Sequence, residues 1–200
     1  MRSIAGHAPL ALLASLALAA PLAAQAADAP HYSYLEGGYL NVDFDDFNVD
    51  GDGFGVGGSY ALNKNWHLLG GYQSVELDGV ADFSAFSLGA GLNHPLRTGL
   101  DFVGRVRFID AEIDGPGGDD TGFSLEAGVR MMINSQLELN GALRHTDVTE
   151  AIDGSTALVL GGFYEVVDNL TVGGDIEVSD DYSALFLRAR WHFTPTRQLR

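Results

Sequence analysis

The chain has 200 residues, with 27 acidic against 11 basic side chains, a formal charge of −16 and no cysteine. So acidic a protein repels nucleic acid and bare anionic lipid. The missing cysteine removes disulfides, thiol chemistry, Cys-ligated zinc and an N-terminal lipid-modified Cys. Twenty-six glycines and seven tyrosines point instead to β structure with many tight turns.

Met1-Arg2-Ser3 precedes an apolar run from Ala8 to Ala24, closed by Ala24-Gln25-Ala26. A short positive region, an apolar stretch and a small-x-small site predict a signal peptide, residues 1–26, cleaved after Ala26. Pro21 interrupts the run and argues against a retained membrane anchor. Cleavage takes Arg2 away, so −16 becomes −17, and about 174 residues remain as one domain, 27–193, with a tail at 194–200. Beyond the leader no run approaches ~18 apolar residues, so no transmembrane helix is expected.

Period-two alternation then recurs along the chain. The first run is Tyr32 to Asn41, with Leu35, Gly37 and Tyr39 opposite Glu36. Gly53–Leu62 sets Phe54, Val56 and Tyr60 against Gly55, Gly57 and Ser59; Trp66–Val75 sets Trp66, Leu68 and Tyr72 against His67, Gly71 and Gln73. Phe83–Asn93 alternates Phe86, Leu88 and Ala90 with Ser87, Gly89 and Gly91, and Leu100–Ile109 places Phe102, Val106 and Phe108 opposite Asp101, Arg105 and Arg107. Thr121–Ile133 carries Glu126 and Arg130 on its polar face, and Gln136–Thr146 carries Glu138, Asn140 and Arg144. Ser155–Val166 alternates least cleanly, with Leu158, Leu160 and Tyr164 assigned outward and Glu165 inward. Leu170–Ser179 has Asp175 and Glu177 on its polar face. The closing run, Tyr182–Phe193, sets Leu185, Leu187, Ala189, Trp191 and Phe193 against Arg188 and Arg190.

Ten runs of this length suit an even-numbered transmembrane barrel, whose strands need about 9–11 residues each. Eight strands follow if the first run or 155–166 is misassigned. Connections alternate between short ones (63–65, 94–99, 134–135, 167–169) and mostly longer acidic ones, as periplasmic turns and outer loops do. The expected fold is therefore an all-β, single antiparallel up-and-down barrel. Its lumen would hold Arg105, Arg107, Arg130, Arg144, Arg188 and Arg190 with Glu36, Asp101, Glu126, Glu138, Asp175 and Glu177. An arginine facing lipid near the midplane costs about 2–4 kcal/mol, so six of them specify the parity. A soluble secreted barrel would show mixed Lys and Glu on its solvent face; here the polar face has none of the former. Trp66, Tyr72, Phe123, Tyr164, Trp191 and Phe193 are expected near strand ends, as an interfacial aromatic belt.

The segments Tyr34-Leu-Glu-Gly-Gly-Tyr39, Gly57-Gly-Ser-Tyr-Ala61, Trp66-His-Leu-Leu-Gly-Gly-Tyr72 and Gly89-Ala-Gly-Leu-Asn-His94 carry a resemblance. Over nearly the whole mature chain the sequence resembles the Ax-twenty-one-like small outer-membrane proteins of xanthomonad-type bacteria. The resemblance implies a Gram-negative outer-membrane barrel in contact with membrane lipid and lipopolysaccharide, inserted by the barrel-assembly machinery. It also implies loose links to motility, biofilm and host interaction, and it supplies no catalytic residues. Such chains usually end at the terminal aromatic, whereas Thr194–Arg200 follows Phe193 here.

Asp46-Phe-Asn48-Val-Asp50-Gly51-Asp52 matches the first half of a calcium loop, with oxygen donors at Asp46, Asn48, Asp50 and Asp52. Position twelve is Gly57 rather than Glu, so an exposed acidic turn is the competing reading. Collectively the acidic connections form either a cation-bridged contact to lipopolysaccharide or a solvated, repulsive rim, and the second is the simpler. His145 with Asp147, or His67, are the only candidates for rim catalysis. His145 falls on the lipid-side parity, so no enzyme is expected, and no cofactor beyond the calcium candidate. The expected role is structural, or interaction with an unknown surface partner through acidic outer loops. A narrow passive pore for ions or small solutes is the alternative, with the lumen expected to be closed or very narrow.

Overall fold

A computed structural model describes residues 29–44, 49–77, 82–113, 118–148 and 152–193. Ten antiparallel strands follow in order: β1 (Tyr34–Phe44), β2 (Val49–Ala61), β3 (Trp66–Leu77), β4 (Asp82–Arg97), β5 (Leu100–Ile113), β6 (Gly118–Met132), β7 (Leu137–Val148), β8 (Ile152–Val167), β9 (Leu170–Val178) and β10 (Tyr182–His192). Each pairs with its chain neighbours, and β1 pairs with β10, closing the sheet. Closure leaves no unpaired edge, a requirement for β structure in lipid. The ten-strand reading holds and the eight-strand alternative does not. Residues 1–26, Asp46, Asn48 and 194–200 lie outside the described residues.

Several strands run further outward than their alternation suggests. The connection expected at 43–52 contracts to 45–48, and the one at 110–120 to 114–117, because β1, β2, β5 and β6 keep their ladders through acidic residues. On the other side, β4 continues past Pro95 to Arg97, with a register irregularity between them where the missing N–H of proline is tolerated. The turn is Thr98-Gly99, and Gly99 takes the left-handed conformation it needs (φ 74°).

The short turns are built by side chains. Asn63 Oδ1 accepts from the N–H groups of Asn65 (2.9 Å) and Trp66 (3.0 Å), and Asn134 Oδ1 accepts from those of Gln136 and Leu137 (both 2.8 Å). These are Asx turns, which reverse the chain in few residues. They share one end of the barrel with Thr98-Gly99, Asp168-Asn169 and the described N-terminal residues, which marks that end as periplasmic.

Outward positions are apolar: Leu35, Phe54, Val56, Leu68, Leu88, Phe108, Leu125, Ile176 and Leu187 are all exposed. Tyr60, Trp66, Tyr164, Trp191 and Phe193 gather at the short-turn end, with Tyr60 stacked on Phe193 at 6.3 Å. Tyr72 departs from the expected belt. It sits halfway along β3, between Val56 and Phe86 on the flanking strands.

Candidate functional site

The lumen divides into three levels. At the periplasmic mouth, the residues preceding β1 fold inward. Tyr32 is 3 % exposed and Ser33 1 %. Tyr32 stacks on His67 (4.9 Å between rings), lies under the Arg130 guanidinium (4.7 Å) and donates from its phenol to Asp101 Oδ2 at 3.0 Å. Ser59 Oγ donates to the Tyr32 carbonyl (2.8 Å), Ser33 Oγ accepts from the Ala61 N–H (3.0 Å), and Arg130 Nη1 donates to the His31 carbonyl (3.0 Å). The segment is thereby tied to β2, β3, β5 and β6. Burial pushes the Tyr32 phenol far above its ordinary range.

The middle level is the charged layer; eleven of the twelve predicted members face it, and Asp101 lies below them at the mouth. Register explains the pairs: Arg105 and Arg144 lie directly opposite Glu126 on its two neighbouring strands, and Glu36 lies opposite Arg190 across the closing seam. Glu126 takes three arginines, with Arg105 on Oε1, Arg144 Nη2 on Oε2 at 2.8 Å and Arg107 more distantly on Oε2 at 3.4 Å. Arg144 Nη1 also reaches Glu177 at 2.6 Å. Arg130 grips Glu138 through Nε and Nη2, and Arg190 meets Glu36 at 2.9 Å while lying between the Tyr34 and Phe163 rings. Arg188 pairs with Asp175 at 3.1 Å. Asn140 donates to the same Asp175 at 2.9 Å over Gly161, where a Cβ would lie 2.1 Å from the carboxylate. Asp101 is the member whose role differs, since it receives the Tyr32 phenol. A cavity of about 80 Å³ runs among these groups. Buried pairs like these repay their desolvation only when the remaining donors and acceptors are also satisfied, as Glu126, Glu138 and Asp175 are.

The outer level adds inward apolar side chains that the polar faces read from alternation did not include. Leu40, Val42, Val75 and Ala184 are buried together inside the barrel, with Phe44, Leu77, Phe83, Tyr182 and Phe186 packed against them. Ala85, Ala111 and Val148 form a second inward cluster. Strand β2 faces them with Gly51, Gly53, Gly55 and Gly57, which offer no side chain. A cavity of about 410 Å³ lies beside them, bounded by the first cluster and by Arg105, Arg107, Arg144 and Arg188 with Glu36 and Glu177; its boundary extends past the wall glycines to the outward Tyr39, Val56 and Tyr72.

Acidic side chains ring the outer end and point away from the lumen. Glu76 lies directly opposite Asp52 on one neighbour and Asp82 on the other, and Glu112 opposite Asp119. Asp50 and Asp52 of the calcium-like motif are exposed in extended β2. Among the described residues no group of three or more His, Asp or Glu is arranged to hold a metal ion. His145 is on the outer surface, with Nδ1 3.0 Å from Thr156 Oγ1 and its ring against Phe123, while His67 is buried under Tyr32. The two are not brought together.

Sequence comparison decides the family. The profile of the outer membrane protein β-barrel domain matches residues 10–184. The chain belongs to that family. This outer-membrane barrel of a Gram-negative bacterium has no match among curated protein sequences. Among solved structures it is similar to the KdgM porin in complex with disordered oligogalacturonate (9 % identity, TM-score 0.46, 82 % of this chain and 99 % of that one). It is also similar to OprG from Pseudomonas aeruginosa (15 %, 0.40, 84 % and 99 %) and to Ail, the attachment invasion locus protein of Yersinia pestis (15 %, 0.36, 81 % and 99 %).

Proposed function

We propose that this outer-membrane barrel is an Ax-twenty-one-like protein with a structural or surface-interaction role, exported with residues 1–26 as a cleaved signal. It is non-enzymatic, needs no cofactor, is inserted by the barrel-assembly machinery and meets lipopolysaccharide and a surface partner through its acidic outer rim. One observation carries the reading. The buried Tyr32–Ser33 segment occupies the periplasmic mouth with paired charges above it, while the described residues of the outer end line a vestibule within a carboxylate collar.

A narrow passive pore is the second reading, and the cavity of about 80 Å³ inside the charged layer is what favours it. Single-channel recording of the refolded, heat-modifiable protein in a planar bilayer separates the two. The surface role predicts silence from a demonstrably folded barrel; steady, discrete openings would overturn it. A calcium titration by calorimetry tests Asp46, Asn48, Asp50 and Asp52 in the same preparation, and the absence of saturable heat would end that idea.

A further inference from the structure

We infer that the outer vestibule is a binding site for an amphipathic anion, a linear acyl chain ending in a carboxylate. This goes beyond the surface role of the rim. Inward leucine, valine and phenylalanine are stabilised by packing on one another, and the part of their surface left facing the vestibule gains further from an apolar guest. Here Leu40, Val42 and Val75 line the upper walls, and β2, which runs between their strands, turns only glycines inward from Gly51 to Gly57. Like small-molecule pockets, the space there combines apolar walls with a few convergent polar groups.

The floor supplies the polarity. Four arginines and two glutamates line the cavity; Glu126 and Asp175 below pair with the same arginines, so the surplus of positive charge is confined to Arg105, Arg107 and Arg144, which share Glu126 and Glu177. The imbalance has a local source, since Glu126 below is shared by Arg105, Arg107 and Arg144. Arg144 holds that carboxylate at 2.8 Å and Arg107 only at 3.4 Å, so Arg107 is the guanidinium best placed to turn to an incoming anion. A carboxylate there gains charge-assisted hydrogen bonds to a guanidinium whose side chain is mostly buried. Its chain then lies along the apolar wall toward the outer mouth. A short anion lacks the apolar term, and a neutral alcohol of equal length lacks the ionic one.

The test is calorimetric titration of the full chain in nanodiscs with octanoate, octanol and acetate, with empty nanodiscs subtracted. Octanoate is expected to bind saturably and about tenfold or more tighter than octanol, the difference being one charge-assisted interaction. Acetate should give no saturable heat. Gly55→Leu should weaken octanoate about tenfold by filling the space; a Cβ at Gly55 meets nothing nearer than 3.7 Å, so the wall itself accepts the change. Ser87→Leu, on the same lining, replaces it if heat-modifiable migration shows that Gly55→Leu is unfolded. Arg107→Gln should bring octanoate and octanol together. No octanoate heat above empty nanodiscs, an unchanged affinity in the folded cavity-filling variant, or equal binding of octanol by the wild type would each overturn the inference.

Discussion

Arg130 and Glu138 face each other across the β6–β7 hairpin as a forked ion pair, with Nε and Nη2 donating at 3.0, 2.9 and 2.7 Å. Both side chains are more than nine-tenths buried, and the remaining Arg130 donor Nη1 is taken by the His31 carbonyl. The pair thus ties the charged layer to the segment that covers the periplasmic mouth. Removing one partner strands a charge, which typically costs about 3–5 kcal/mol, whereas removing both costs less. Glu138→Ala should therefore lower the urea midpoint of barrel unfolding more than the Arg130→Met, Glu138→Leu double variant does. Equal losses would show that the pair acts only through packing.

Tyr32 offers a spectroscopic check on the covered mouth. Its phenol is buried and donates to Asp101, so its pKa is raised in the folded state. The sign follows from linkage: the stability this group contributes is fully present below the unfolded value near 10 and is lost as pH rises above it. Absorbance at the phenolate band should therefore show Tyr32 still protonated above the ordinary phenol value near 10. Subtracting the Tyr32→Phe titration isolates its signal, and ionisation of Tyr32 with the ordinary phenols would show that the segment does not stay in the mouth.

Glu76 has a carboxylate directly opposite it on each side, Asp52 and Asp82. Like charges in register destabilise a sheet by roughly 0.2–1 kcal/mol per pair. Glu76→Lys should raise the unfolding midpoint at low ionic strength, and the gain should shrink at high salt, where the Debye length falls to about 3 Å at 1 M. A gain independent of salt would assign the effect to packing instead.

Gly91 sits under the His67 ring, and a Cβ there would come within 2.1 Å of Nε2. His67 is itself held by the stacked Tyr32 ring, so it has little room to yield. Gly91→Ala should cost about 1–3 kcal/mol in unfolding experiments, as overpacked cores do. His67→Ala in the same chain should recover most of the loss, and failure to recover it would place the strain in the backbone.

What alternation could reveal was limited by contrast. Arg188 and Arg190 stand out against Leu187 and Trp191, so β10 declares its two faces from sequence, as do β5 and β6. In β8 both faces are apolar: Ala157, Val159 and Phe163 point inward and Leu158, Leu160 and Tyr164 outward. With no polarity difference to follow, the strand was legible but its contribution to the core was not. The same loss of contrast hid Leu40, Val42 and Val75, and with them the vestibule. That Glu126 would gather three arginines could not be read either, because it depends on the pairing register of β5, β6 and β7. Tyr32 opens the first alternating run, on the parity of Glu36, but the ladder begins only at Tyr34, and alternation could not show that the residues ahead of it fold into the mouth.

The seam between β1 and β10 joins residues more than 150 positions apart, and Glu36 there meets Arg190 at 2.9 Å and Arg188 at 3.4 Å. Sliding β10 by one residue would turn both arginines into the bilayer, at about 2–4 kcal/mol each near its middle. The first and last strands to be synthesised therefore recognise each other by charge as well as by backbone. The seam works as a keyed latch that rejects a misaligned ring, so fidelity of assembly is written into the same three side chains that knit the charged layer of the finished barrel.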